Sequence, residues 1–142
     1  MNKWSSAGAV IFRRDEKGHH QFLVVQHAKR SETEKEYWAL TKGTLESGET
    51  LGQAAKREIN EEVGLEVEFI EGFEAVISYN PESHIHKTVT YFLADAYGQE
   101  VQVDGVEIVN YQWLDLDSAI EKLTYENVRQ VLKEANQFLK EE

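Results

Sequence analysis

The stretch Gly43-Thr44-Leu45-Glu46-Ser47-Gly48-Glu49-Thr50-Leu51-Gly52-Gln53-Ala54-Ala55-Lys56-Arg57-Glu58-Ile59-Asn60-Glu61-Glu62-Val63-Gly64-Leu65 decides how the rest of this chain is read. Residues 43–49 carry two glycines and two acids and read as a loop. Residues 50–63 read as a helix that Gly64 stops. On that helix Leu51, Ala55, Ile59 and Val63 recur every four residues and form the stripe expected to face a core. Ala54, Glu58, Glu61 and Glu62 form a neighbouring stripe by the same spacing.

That second stripe gathers carboxylates near a helix C-terminus, where they repel one another and oppose the helix dipole by about 0.3–1 kcal/mol each. Taken alone, it reads as readily as a solvated face as it does as a ligand set. The preceding loop favours the ligand set. It supplies Glu46 and Glu49 on either side of Gly48, and Arg57, beside Glu58, is the cation placed to hold that loop against the helix. Clustered carboxylate oxygens suit Mg²⁺ or Mn²⁺ rather than zinc.

Outward from this region, residues 7–13 and 22–28 are apolar, β-branched runs separated by a polar loop, the pattern of a β-hairpin. Residues 26–37 read as a polar loop and 38–40 as a short strand. Residues 67–79 are expected to form a strand bent at Gly72, followed by a turn at 80–83 and a second strand at 88–96. Residues 98–105 are loop-like, and 109–114 form a strand. A short helix is expected at 117–123. The tail repeats Val128, Val131, Leu132, Ala135, Phe138 and Leu139 at helical spacing, with Thr124 as its expected N-cap. Strands around a central helix with a helix at the end imply an α/β or α+β sandwich, one domain over 1–142.

The 142 residues carry 15 Lys+Arg against 26 Asp+Glu, a net charge of −11. No cationic field is available to displace counterions from a long nucleic acid or an anionic membrane. Without cysteine there is no disulfide, thiolate zinc site or cysteine nucleophile. The apolar run 7–12 is too short for a signal-peptide core, and no segment approaches the roughly 20 apolar residues that span a bilayer. A cytoplasmic protein is expected.

Gly43, five residues, Glu49, seven residues, then Arg57-Glu58-Ile59-Asn60-Glu61-Glu62-Val63-Gly64-Leu65 resembles a complete Nudix box: nine specified positions match across 23 residues. Further segments are similar to the asymmetric diadenosine tetraphosphate hydrolases within that family: residues 6–13, Trp38 with Lys42-Gly43, residues 87–94, Glu107 with residues 111–114, and residues 137–139. The resemblance implies an α/β/α sandwich with a mixed sheet and a loop–helix–loop catalytic motif. It implies that Glu58, Glu61, Glu62 and Glu107 bind divalent ions, Mg²⁺ or Mn²⁺, and that Arg57 holds Glu49 and the loop. The base falls on a glutamate of this set, Glu58, Glu61 and Glu107 among them.

The same resemblance assigns Lys42 and Lys87 to phosphates outside the metal shell, and Tyr79 and Tyr125 to stacking on a nucleobase. On residue type alone, the lysines also fit solvated surface charges, and the tyrosines also fit core or rim packing. Two positions depart from the subfamily: Leu40-Thr41 stand where prolines are usual, and Tyr37 stands where histidine is common. His84 and His86 lack a third ligand in the sequence and read as exposed. The implied reaction is hydrolysis of a small dinucleoside polyphosphate to a nucleoside triphosphate and a monophosphate. The same machinery acting on a nucleoside triphosphate or an RNA 5′ end is the second reading. A nucleotide-sensing module that binds without hydrolysis is the third, and its mark, loss of a box acid, is not found here. The sequence leaves the oligomeric state open.

Overall fold

A computed structural model describes residues 2–29, 31–32 and 35–142. The part of the expected 26–37 loop at residues 30, 33 and 34 lies outside the described residues. Strand β1 (Asn2–Arg14) organises the sheet. One of its edges pairs in parallel with β6 (Ile85–Asp95), from Asn2↔Ile85 to Phe12↔Asp95. The opposite edge is shared. Near its end β1 pairs antiparallel with β2 (His20–His27) from Phe12↔Phe22, and earlier with β4 (Thr41–Thr44) from Ser6↔Thr44 to Ala9↔Thr41. Beyond Phe12 and Phe22 the two long strands diverge, and β3 (Tyr37–Ala39), paired with β2, joins β4 in filling the opening. β5 (Ala75–Glu82) closes one side against β6, and β7 (Ile108–Leu114) closes the other against β2.

Alternation along β1 divides the core between two faces. Ala7, Ala9 and Ile11 meet the helix α1 (Leu51–Val63) through Ala54, Ala55, Ile59 and Val63. Val10 and Phe12 meet the helix α3 (Glu126–Glu141) and the short α2 (Leu116–Lys122) through Val131, Leu132, Ala135 and Ala119. Full burial of each large side chain here contributes about 1.5–3 kcal/mol. The result is the expected α/β/α sandwich with a mixed sheet, and the central and terminal helices lie where the periodicity put them. Among the described residues no helix is long and apolar enough to cross a membrane.

Several local expectations change. The 67–79 strand begins only at Ala75; before it, Phe69 bridges to Ala94 and Gly72, at φ +102°, turns the chain. β5 then runs through Pro81 to Glu82, so the turn shrinks to residues 83–84. Pro81 is tolerated because β5 is an edge strand and the register is irregular between Tyr79 and Glu82. Thr124 does not cap α3; Tyr125 occupies that position and makes no side-chain cap bond. The Thr124 hydroxyl instead accepts from the Trp38 backbone N–H at 2.9 Å, tying the start of α3 to β3. His84 lies 3.5 Å from Glu82, and His86 Nδ1 is 2.9 Å from Asn80 Oδ1.

Candidate active site

Thr50 accepts from Gln53 N–H while the Gln53 side chain accepts from Thr50 N–H, a reciprocal cap that starts α1 immediately after Glu49. Gly64, left-handed at φ 71°, ends it. Between them Arg57 gathers the loop and the helix. Its Nε and Nη2 donate to both oxygens of Glu49 at 2.7 and 2.9 Å. Nη1 donates to Glu58 at 2.7 Å and Glu61 at 3.3 Å, and Nη2 to the Thr44 carbonyl at 3.0 Å. Glu46 lies 3.6 Å from Nη1, and its backbone N–H donates to Glu49 at 2.8 Å. The hydrogen bonds from Arg57 hold the Glu49 carboxyl below its ordinary pKa, and the Glu49 bonds raise Arg57 above its own.

Glu58 lies against β4: a Cβ at Gly43 would overlap the Glu58 carboxylate, so a side chain there would displace that acid. Glu62 lies behind Glu58, is 2% exposed, and its Oε2 has no hydrogen-bond partner among the described residues. Burial, reinforced by a hydrogen bond with Glu58 and by the charges of Glu58, Glu107 and Asp104, pushes Glu62 up to about 9. Glu107 arrives from the opposite side on a tight turn. Asp104 Oδ1 accepts from the backbone N–H groups of Val106, Glu107 and Ile108 at 3.0, 3.1 and 2.9 Å. The Asp104 N–H donates to the Glu62 carbonyl at 3.0 Å, which fixes that turn to the end of α1.

Of these charged groups all but Glu49 line a cleft of about 640 Å³, whose lining also includes Lys29, Lys42 and Lys87. Lys42, on β4, places Nζ 3.3 Å from the Tyr79 hydroxyl. Lys87 comes from β6. Tyr79 and Tyr125 are not in the lining. Tyr79 stands behind Lys42, and Tyr125, 53% exposed at the start of α3, stands behind Tyr37 at a ring separation of 5.9 Å. Tyr37, stacked on His27 with ring centroids 4.6 Å apart and planes 9° apart, forms an aromatic wall of the cleft.

In the sequence Tyr37 stands only as a departure from the subfamily, His27 reads as an exposed histidine, and Asp104 carries no mark of a role. The turn dipeptide Asp104-Gly105 was the available signal for the last.

As the side chains lie, Glu58 and Glu61 are turned onto Arg57, and among the described residues no three acidic or imidazole groups already converge as a ligand set. The residues nonetheless fit a hard divalent cation. The donors are all carboxylate oxygens, and among the described residues the buried Glu62 Oε2 has no partner.

A NUDIX domain model matches residues 3–135. The chain belongs to the Nudix family and is a hydrolase acting on acid anhydrides in phosphorus-containing substrates. It is 33% identical to the pig (Sus scrofa) asymmetrical bis(5′-nucleosyl)-tetraphosphatase over 94% of both chains. It is 26% identical to an RNA pyrophosphohydrolase from Pelagibacter ubique over 92% of this chain and 91% of that one. The solved binary complex of the C. elegans Ap4A hydrolase superposes with a TM-score of 0.86 at 28% identity, covering 98% of this chain and 99% of that one. Nudix hydrolases generally use a divalent metal.

Proposed function

We propose that this chain is a Mg²⁺-dependent hydrolase of dinucleoside polyphosphates that cleaves diadenosine tetraphosphate asymmetrically to ATP and AMP. The observation that carries the reading is the mixed lining of one cleft: carboxylates from α1 and the 104–108 turn share it with lysines from β4 and β6, so one ligand can meet both. The likeness to asymmetrical tetraphosphatases along nearly the whole chain supports the choice of substrate.

Glu58, Glu61, Glu62 and Glu107 would hold the cation. Bound there, Mg²⁺ or Mn²⁺ supplies a Lewis acid that acidifies water and neutralises charge on phosphoryl oxygens. Arg57 keeps Glu49 and the loop in register with the acids. Lys42 and Lys87 offset the charge of phosphates lying beyond them. Water adds across one P–O–P linkage, and its proton passes to a carboxylate of the cluster, Glu58, Glu61 or Glu107.

Glu61 is 58% exposed at its side chain, so Glu61→Gln should leave the fold intact while lowering kcat about 100-fold or more. Full activity in that variant overturns the assignment. A panel of diadenosine tetraphosphate, ATP, ADP-ribose and 5′-triphosphate RNA tests the substrate. A wide preference for any of the last three removes the dinucleotide reading and leaves the hydrolase in place.

A further inference from the structure

A second groove adjoins the cleft. It is lined by Lys3, Trp4, Ser5, Thr44 and Leu45, and the last two also line the cleft itself. The Leu45 N–H donates to the Ser5 carbonyl at 3.0 Å, so the catalytic loop and the start of β1 form one continuous surface. Across the sheet, Trp4 pairs with Lys87 and Lys87 with Tyr79, which sets the three side chains in a row on one face. Lys87 Nζ lies 5.3 Å from the centroid of the Trp4 ring while also lining the cleft.

Trp4 differs from the other two tryptophans. Trp38 and Trp113 pack against the core clusters, whereas Trp4 joins none and is 46% exposed. An indole left open to water beside a polar cleft offers a stacking face rather than core volume. The charge of the groove points the same way. In a chain of net charge −11, its lining holds Lys3 and no carboxylate, with Lys87 over the ring. Such a groove suits a flat ring with negative charge close to it.

A dinucleoside polyphosphate has a base at each end of its phosphate chain, and one aromatic wall, Tyr37 with His27, already borders the cleft. We infer that Trp4 is the stacking platform for the second nucleobase, with Lys87, on the same face of the sheet, facing the phosphate next to it. This inference rests on the dinucleotide reading above and gives it a structural basis for telling a dinucleotide from a mononucleotide.

The test compares full-length wild-type, Trp4→Phe and Trp4→Ala proteins on diadenosine tetraphosphate and on adenosine 5′-tetraphosphate, which lacks the second base. Trp4→Ala should raise KM for the dinucleotide about 5- to 100-fold and leave KM for the mononucleotide unchanged. Trp4→Phe should keep most of the wild-type KM. Equal effects on both substrates, or none on either, overturn the platform. The wild-type preference between the two substrates tests the substrate reading separately, because the platform is judged on the difference Trp4→Ala makes. If Trp4→Ala instead lowers the mass seen in sedimentation and moves neither KM, the groove is a self-contact and the inference fails.

Discussion

Glu62 places a titratable group where water cannot stabilise its charge, and its stability effect has a definite sign. With its pKa near 9 in the fold and near 4.5 in the unfolded chain, the folded protein holds a proton that the unfolded one releases. Between those values stability falls as pH rises. We expect the melting temperature of chelator-treated protein to decline across this window, and Glu62→Gln to flatten the decline relative to wild type. A slope unchanged by the substitution removes Glu62 as its source. Added Mg²⁺ should oppose the decline, since a cation then replaces the proton. The acid stripe was legible in the sequence because α-helical spacing fixes which side chains share a face. That Glu62 alone of the stripe's acids is buried was not legible, because burial is set by segments distant in sequence, such as the turn whose Asp104 N–H bonds the Glu62 carbonyl.

At the scale of elements, α1 is specified locally and α3 is not. Thr50 and Gln53 cap α1 within one turn, and Gly64 ends it, so its limits follow from short-range chemistry. Thr50→Ala should cost about 1 kcal/mol in urea unfolding. It should also reduce activity, since the cap adjoins Glu49; wild-type stability in the variant would make the cap redundant. Thr124 met every local criterion for an N-cap, but its hydroxyl serves a backbone group 86 residues away, and no pattern within a helix encodes that choice. β4 was equally hidden. Thr41-Lys42-Gly43-Thr44 has no apolar alternation, and the strand exists because β1 offers it an edge that β2 has vacated.

For the whole molecule, the charge is divided unevenly. Glu46, Glu49, Glu58, Glu61, Glu62 and Glu107 belong to the proposed site, and the 20 remaining acids against 15 cations leave a net of −5. We therefore expect no retention of a duplex DNA at about 50 mM salt in a filter or gel-shift assay. Appreciable binding would mean that a cationic face outweighs the net charge. The sandwich itself was readable from the order of periodic segments. The cleft's lining was only half readable, because Tyr37, His27 and Asp104 reach it through the divergence of β1 and β2 and through a three-bond turn, neither of which leaves a motif.

Gly43 has a consequence for how this protein can change. The proposed chemistry hangs from α1 and the 104–108 turn, whereas the residues facing the remainder of a substrate come from β1, β4, β6 and Tyr37. The two groups meet where Gly43 lies against Glu58. Substitutions at Trp4, Tyr37 or Lys87 can alter which molecule is admitted without moving the acids, while any side chain at Gly43 disturbs both at once. Selectivity is free to drift around a reaction centre whose Glu58 lies against a strand that carries no side chain at that point.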